Sequence, residues 1–389
     1  MDTKTKPQFS RMSLNLLMLV SIVLIVLLYE PATKLAEQPL PSAPKLDTSI
    51  WLSDSGSKIW FHPALTDTIE IQFWFKAGFR YDGQNKGQAH LLAQLLKYES
   101  VQRKLPMEVS LDQDFIKIAL HLSSSPIALK KQIEQTLALL YHPKLNNSLL
   151  NKLRQPSASL SQDLRQQVYG QHVYAGPQRG TQQSLNQITR ASLQRYHHQY
   201  LHPKRLLASI VGDLNERSAG IIMEALLPES HHTAASDSPL TPQTVGYASR
   251  DNIAVLVKPG LNNLRNQAQQ IRLVKDYLLM QVLQDLQPSQ SKWVTGQSNN
   301  TLYLQQLAQF RQNMRENVDW DMILRAKRRL ASHWLQQAEG AKALSRYLVH
   351  LNAYDLPVNH MQLNLKHLQS ITMDSWQQFY QTQLSELSL

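Results

Sequence analysis

The chain of 389 residues contains no cysteine. That excludes disulfides and thiolate metal sites, and it suits an oxidising compartment without requiring one. Glycine is scarce, at 13 residues, and none of it forms a phosphate-cradling loop or a nucleotide motif. No Ser/His/Asp arrangement is evident either. Only 18% of residues are charged, and with 42% apolar residues the composition excludes wholesale disorder and supports ordinary globular cores. Acids are in the minority, 29 against 40 Lys and Arg, for a formal net charge of +11. Those cations are spread over many helices without interleaved aromatics, so nucleic acid is not an expected partner. The densest cluster, RAKRRL (325–330), reads as a solvated helix face.

Long apolar runs are also few. The N-terminal one, residues 12–29 (MSLNLLMLVSIVLIVLLY), is interrupted only by Ser13, Asn15 and Ser21. It is just long enough to cross a bilayer as a helix. A cleaved signal peptide would need small residues at a cleavage site, and YEPATKLAEQPLPSAP has no A-x-A pattern. The run therefore reads as an uncleaved signal anchor. Lys4, Lys6 and Arg11 precede it, which places residues 1–11 in the cytoplasm and the bulk of the chain outside. In a bacterium that is a single-pass inner-membrane protein facing the periplasm. Residues 30–48, rich in Pro and small residues, read as a linker.

Two similar units follow. SIWLSDSGSKIWFHP (49–63) reads as a β-hairpin turning at DSGS, and 67–79 as a strand. GQAHLLAQLLKYES (87–100) reads as a helix with Leu91, Leu92, Leu95 and Leu96 on one face. Strands are expected at 114–124 and 205–214. Helices are expected at 126–142, 146–168, 181–201 (capped by Thr189) and 215–227. Residues 229–250 are polar and read as a linker between a first domain, 49–228, and a shortened second one, 251–389. DNIAVLVKPG (251–260) matches TIEIQFWFKAG (68–78), with Lys258 lying 182 positions after Lys76. ITMDSWQQFY (371–380) matches ITRASLQRYH (188–197), with Thr372 lying 183 after Thr189. Two matches at nearly one offset indicate an internal duplication. The expected fold class is α+β: two tandem homologous α/β sandwich domains, each an antiparallel-rich sheet backed by helices, after an N-terminal transmembrane helix.

The frame FKAGFRYDGQNKGQAHLLAQLL resembles the insulinase and pitrilysin-like zinc metallopeptidases of the mitochondrial processing peptidase type. In that family a strand ends in an alanine-glycine turn, and a loop and a glycine lead to a helix bearing H-x-x-E-H. Ala77, Gly78, Arg80, Gly87 and His90 stand where this pattern places them. The segments 185–214 and 318–330 resemble the ends of the family's two domains. In H-x-x-E-H two histidines at i and i+4 ligate one zinc and the glutamate activates its water. A downstream carboxylate completes the ligands. Here the frame reads His90-Leu91-Leu92-Ala93-Gln94. Ala93 replaces the base, and the Gln94 amide is a poor zinc ligand. The segment 146–168, where the resemblance places the third ligand, holds Asp163 as its only acid.

The resemblance thus implies a vestigial motif at His90, Ala93 and Gln94, with no catalytic residue, no metal ligand and no cofactor, zinc included. His198 and His202 form an i, i+4 pair, but Pro203 ends the helix there; His231 and His232 lie in the linker. Tyr303 and Arg311 are the nearest candidates for the substrate-holding pair that the family carries in its second domain. Family members enclose peptides between two halves, and in several pairs one half is inactive. The implied role is a non-catalytic periplasmic partner of an active sister peptidase, with a peptide or unfolded protein held by strand addition. A stand-alone envelope scaffold or peptide-binding protein is the alternative; an active hydrolase with an unorthodox site is the third.

Overall fold

The structure, a computed structural model, describes residues 39–154, 160–227, 234–237, 246–261, 266–286, 291–297, 299–306, the single positions 308 and 312, and 318–386. The run 12–29 lies outside them, as do His231, His232 and Arg311. Among the described residues no helix is long and apolar enough to cross a membrane.

The first half contains β1 (Ser49–Leu52), β2 (Lys58–Pro63), β3 (Thr68–Phe75), α1 (Gln88–Gln102), β4 (Met107–Leu111) and β5 (Ile116–Ser123). There follow α2 (Pro126–Leu140), α3 (Asn147–Leu153), α4 (Leu160–Tyr169), α5 (Gln182–Gln187), α6 (Arg190–Tyr200), β6 (Leu206–Gly212) and α7 (Glu216–Leu226). The second half contains β7 (Gly246–Arg250), β8 (Ile253–Pro259), α8 (Gln267–Leu286), β9 (Ser291–Val294) and β10 (Asn299–Leu304). It closes with α9 (Trp320–Gln336), α10 (Ala341–Ala353), α11 (His360–Gln369) and α12 (Met373–Glu386). This is the expected mixture of α and β, with sheets backed by helices.

The first sheet has the order β1-β2-β6-β3-β5-β4. Only β2 and β6 run parallel. β3 is its central strand and is buried on both faces, hence its nearly unbroken apolar run. Ile69, Ile71, Phe73 and Phe75 point into a core shared with α1 and its neighbours. Gln72 and Trp74 point the other way, towards α10 of the second half. Ser209 donates to the Ser345 carbonyl (2.6 Å), and Asn352 donates to the Lys58 carbonyl (3.0 Å). The second sheet has four strands, β7-β8-β10-β9. Its own outer face is covered by α4 from the first half, through Leu164, Val168 and Tyr169 against Ala248, Val255 and Val257. Tyr169 shares a 2.7 Å hydrogen bond with Thr301. Each half therefore lends a helix to the other's sheet.

Several boundaries differ from the sequence reading. The stretch 181–201 is two helices, because Ile188 is extended and Thr189 opens a second capping box with Ser192, as Thr181 does with Ser184. Helix was expected throughout 146–168; the described part is α3 and α4 separately. β4 was not expected, and its pattern of Met107, Val109 and Leu111 alternating with Glu108 and Ser110 spans only five residues. Residues 246–250, read as linker, form β7, joined to β8 by Asp251 and Asn252 at φ 49° and 65°, both left-handed.

Candidate functional site

His90 sits in the first turn of α1, where the chain enters the helix by a sharp turn. Gly87 has φ 101°. A Cβ there would lie 2.8 Å from Leu185 Cδ2 and 2.9 Å from the Arg179 carbonyl, so glycine is required by both angle and space. The first amides of the helix are satisfied by Asp82, which accepts from Gly87 N (2.7 Å) and Ala89 N (2.8 Å). Burial pushes the Asp82 carboxyl up to about 7, opposed by those two amides and by Lys86. The sequence reading missed Asp82; its signal is an acid a few residues before a glycine-led helix. Tyr196 donates to the carbonyl of Ala77 (3.0 Å) and ties α6 beneath the same loop.

His90, Gln94 and Lys97 share the outward stripe of α1, at i, i+4 and i+7, while Ala93 is buried among the core leucines. Burial and the neighbouring Arg179 guanidinium lower the His90 pKa to about 4, so its imidazole is neutral at physiological pH. Arg179 is exposed and puts a positive charge beside the only imidazole of the stripe. Asp163 is exposed on α4, which packs against β7 and β8. Among the described residues no group of three or more His, Asp or Glu could hold a metal ion. One imidazole, a methyl, an amide and a nearby guanidinium do not fit zinc, which takes three protein ligands at catalytic centres.

The other sequence candidates hold structure together. His197 is buried and its Nε2 lies 2.6 Å from the Leu140 carbonyl. His202 Nδ1 accepts from Lys204 N (3.1 Å) and caps the turn at Pro203–Arg205. Tyr303 is half-buried and accepts from Arg165 Nη1 (3.2 Å). Arg165 itself is buried between the halves; it also donates to the Tyr174 carbonyl (2.5 Å) and to Gln113 Oε1 (3.3 Å). Beside it, buried Asp114 pairs with Arg80 (3.2 Å) and accepts from Tyr174 Oη (2.7 Å) and Gln297 N (2.9 Å). RAKRRL is not uniformly solvated: Lys327 is buried and donates to the carbonyls of Ile371 (3.0 Å) and Gln369 (3.4 Å) behind α11, and burial lowers its pKa to about 8.

No family model matches the sequence, and no curated protein matches it. Solved structures do share the fold. An inactive peptidase M16 domain from Pseudomonas fluorescens superimposes with a TM-score of 0.70 at 15% identity, covering 86% of this chain and 94% of that one. The first half of the periplasmic protease PqqL from Escherichia coli gives 0.62 at 14% identity, covering 90% and 92%. The match to PqqL as a whole covers 89% of this chain but 47% of that protein. The fold is that of the insulinase-like M16 peptidases, at the size of one half of a two-half protease.

Proposed function

We propose that this chain is a degenerate insulinase-like homologue of the processing-peptidase type that binds no zinc, cuts nothing, and serves as the non-catalytic partner of an active sister peptidase. A span at 12–29 tethers it to the bacterial inner membrane with the folded part in the periplasm. The carrying observation is the outward stripe of α1. The strand, turn and helix that would present a zinc site are intact, yet the stripe offers one imidazole beside Arg179, with Ala93 buried and Gln94 neutral. The similarity in size to one half of PqqL supports a role as one wall of a two-half chamber.

The test is affinity purification of the tagged full-length protein from its native membrane in mild detergent, with mass spectrometry and zinc quantification. A sister protein bearing an intact H-x-x-E-H, at near-equal amount, supports the reading. Other envelope proteins without such a sister would favour a scaffold. Stoichiometric zinc and chelator-sensitive peptide cleavage by this chain alone would overturn the reading. The double variant Ala93→Glu/Gln94→His is expected to remain inert in the same peptide assay, because the third ligand is still missing.

A further inference from the structure

The two sheets end in four edge strands, β1, β4, β7 and β9. An edge strand offers unpaired N–H and C=O groups to any other chain, and natural edges are commonly guarded by charge. Three of these are: β4 carries Glu108, β7 Arg250 and β9 Lys292. β1 reads Ser-Ile-Trp-Leu and carries no charge. Its Ile50 and Leu52 are 47% and 70% exposed. Trp51 points to the opposite face and stands edge-on to Phe61, ring centroids 6.2 Å apart. Among the described residues β1 pairs with β2 alone.

We infer that β1 is a homodimerisation edge, at which two copies of this chain pair their β1 strands antiparallel about a two-fold axis normal to the sheet. Such an axis keeps the faces of the two sheets aligned, so residues of like parity must meet. Of the registers that do this, the one centred on Trp51 pairs Trp51 with its own copy and Ile50 with Leu52 of the other copy. Every central cross-strand pair is then apolar, and Ser49 meets Ser53. The contact is isologous, one strand supplying both sides. The formal +11 of each copy opposes self-association, and opposes it least at an edge that adds no charge. Ser49 lies 20 residues after Tyr29, so a membrane span at 12–29 would also hold two such edges near one bilayer surface. The pairing joins two six-stranded sheets into one continuous sheet. It is independent of the sister-peptidase reading, since the edge lies on this chain alone.

The absence of native cysteine makes the test direct. Full-length Trp51→Cys in mild detergent carries one thiol, and the two-fold register sets the paired Cα atoms about 4.5–5.5 Å apart, within disulfide range. Mild oxidation is expected to give a cross-linked dimer as the main product. Val101→Cys, at a position 65% exposed on α1, is expected to stay monomeric. Leu52→Lys leaves the fold intact, by circular dichroism, and weakens the dimer by roughly tenfold or more in mass photometry, because both symmetry-related pairs are lost. Should Trp51→Cys fold poorly, the exposed pair Ile50→Cys/Leu52→Cys gives the same cross-link. A wild-type chain that is monomeric at the highest attainable concentration would overturn the inference. So would equal cross-linking of Trp51→Cys and Val101→Cys, or an edge engaged only when a different protein is added.

Discussion

The two halves share several elements at one offset and differ where β6 enters the first sheet. Adding 182 to the ends of α4 gives 342 and 351, inside α10; adding it to β5 gives 298 and 305, which brackets β10. α1 and α8, and α6 and α12, correspond in the same way. In the first half β2 and β3 are joined by residues 64–67, and β6 lies between them. That connection spans two strand spacings, about 10 Å, whereas adjacent strands lie about 5 Å apart. Ala64 N donates to the Gly212 carbonyl (2.9 Å), sealing the loop over the end of β6. In the second half β7 and β8 are joined by Asp251-Asn252 alone and pair directly. The difference teaches that a four-residue connection can cross an intervening strand, whereas the two-residue turn holds its strands side by side. The shared feature is the helix exchange, α4 onto the second sheet and α10 onto the first.

The comparison can be broken most severely at the Ala77-Gly78 turn of the first half. A Cβ on Gly78 would fall on the backbone of Gln113 and Asp114, where nothing flexible can yield. Gly78→Val is expected to cost about 3 kcal/mol or more and to leave little folded protein, read by yield and near-ultraviolet circular dichroism. Next comes the exchanged helix α4. Arg165→Ala removes donors to Tyr174, Gln113 and Tyr303 at once, with an expected loss of about 3 kcal/mol by urea denaturation. Hydrogen exchange should show β7 and β8 losing protection while β3 and β6 keep theirs. Equal loss in both sheets would mean that the halves are one cooperative unit.

A pH comparison sharpens the loop under α1. The folded pKa of Asp82 lies at about 7, above its ordinary value of 3.8. Its contribution is therefore full below about 4 and is lost as pH rises through about 7. Asn at this position does not titrate, so Asp82→Asn should cost more at pH 5 than at pH 8, by on the order of 1 kcal/mol, measured as the difference in urea midpoints from the wild type. The smallest effect is expected on the exposed side of α10. Glu108 pairs with Lys342 (2.7 Å) and Arg346 (2.9 Å), but all three are about half exposed. Glu108→Gln should change stability by no more than about 0.5 kcal/mol in a thermal melt.

Much of this architecture was legible from local signals. The hairpin β1–β2, the apolar run of β3, the leucine face of α1 and the Thr189 cap each follow from residues adjacent in sequence. The common offset was legible because two motifs kept their spacing. β4 and β7 were hidden by brevity, five residues each, although the Asp251-Asn252 pair was a usable turn signal. The site was legible as a frame: His90, Ala93 and Gln94 fall within one turn and a half of α1, at the start of the helix the sequence predicts. Arg179, which sets the charge beside His90, is brought there by the chain's path from α4 to α5 and carries no local signature. Nor does the helix exchange: α4 and α10 look like ordinary amphipathic segments, and only the tertiary path decides whose sheet each covers.

The exchange has a consequence for synthesis. When α7 has left the ribosome, the first sheet is complete except for its cover, and that cover ends at Ala353, 127 residues after Leu226. At about 5–20 residues per second the growing chain would carry Trp60, Trp74 and Phe115 bare for roughly 6–25 s. Over that interval a holdase, or delayed folding of the whole chain, must stand in for a helix not yet made.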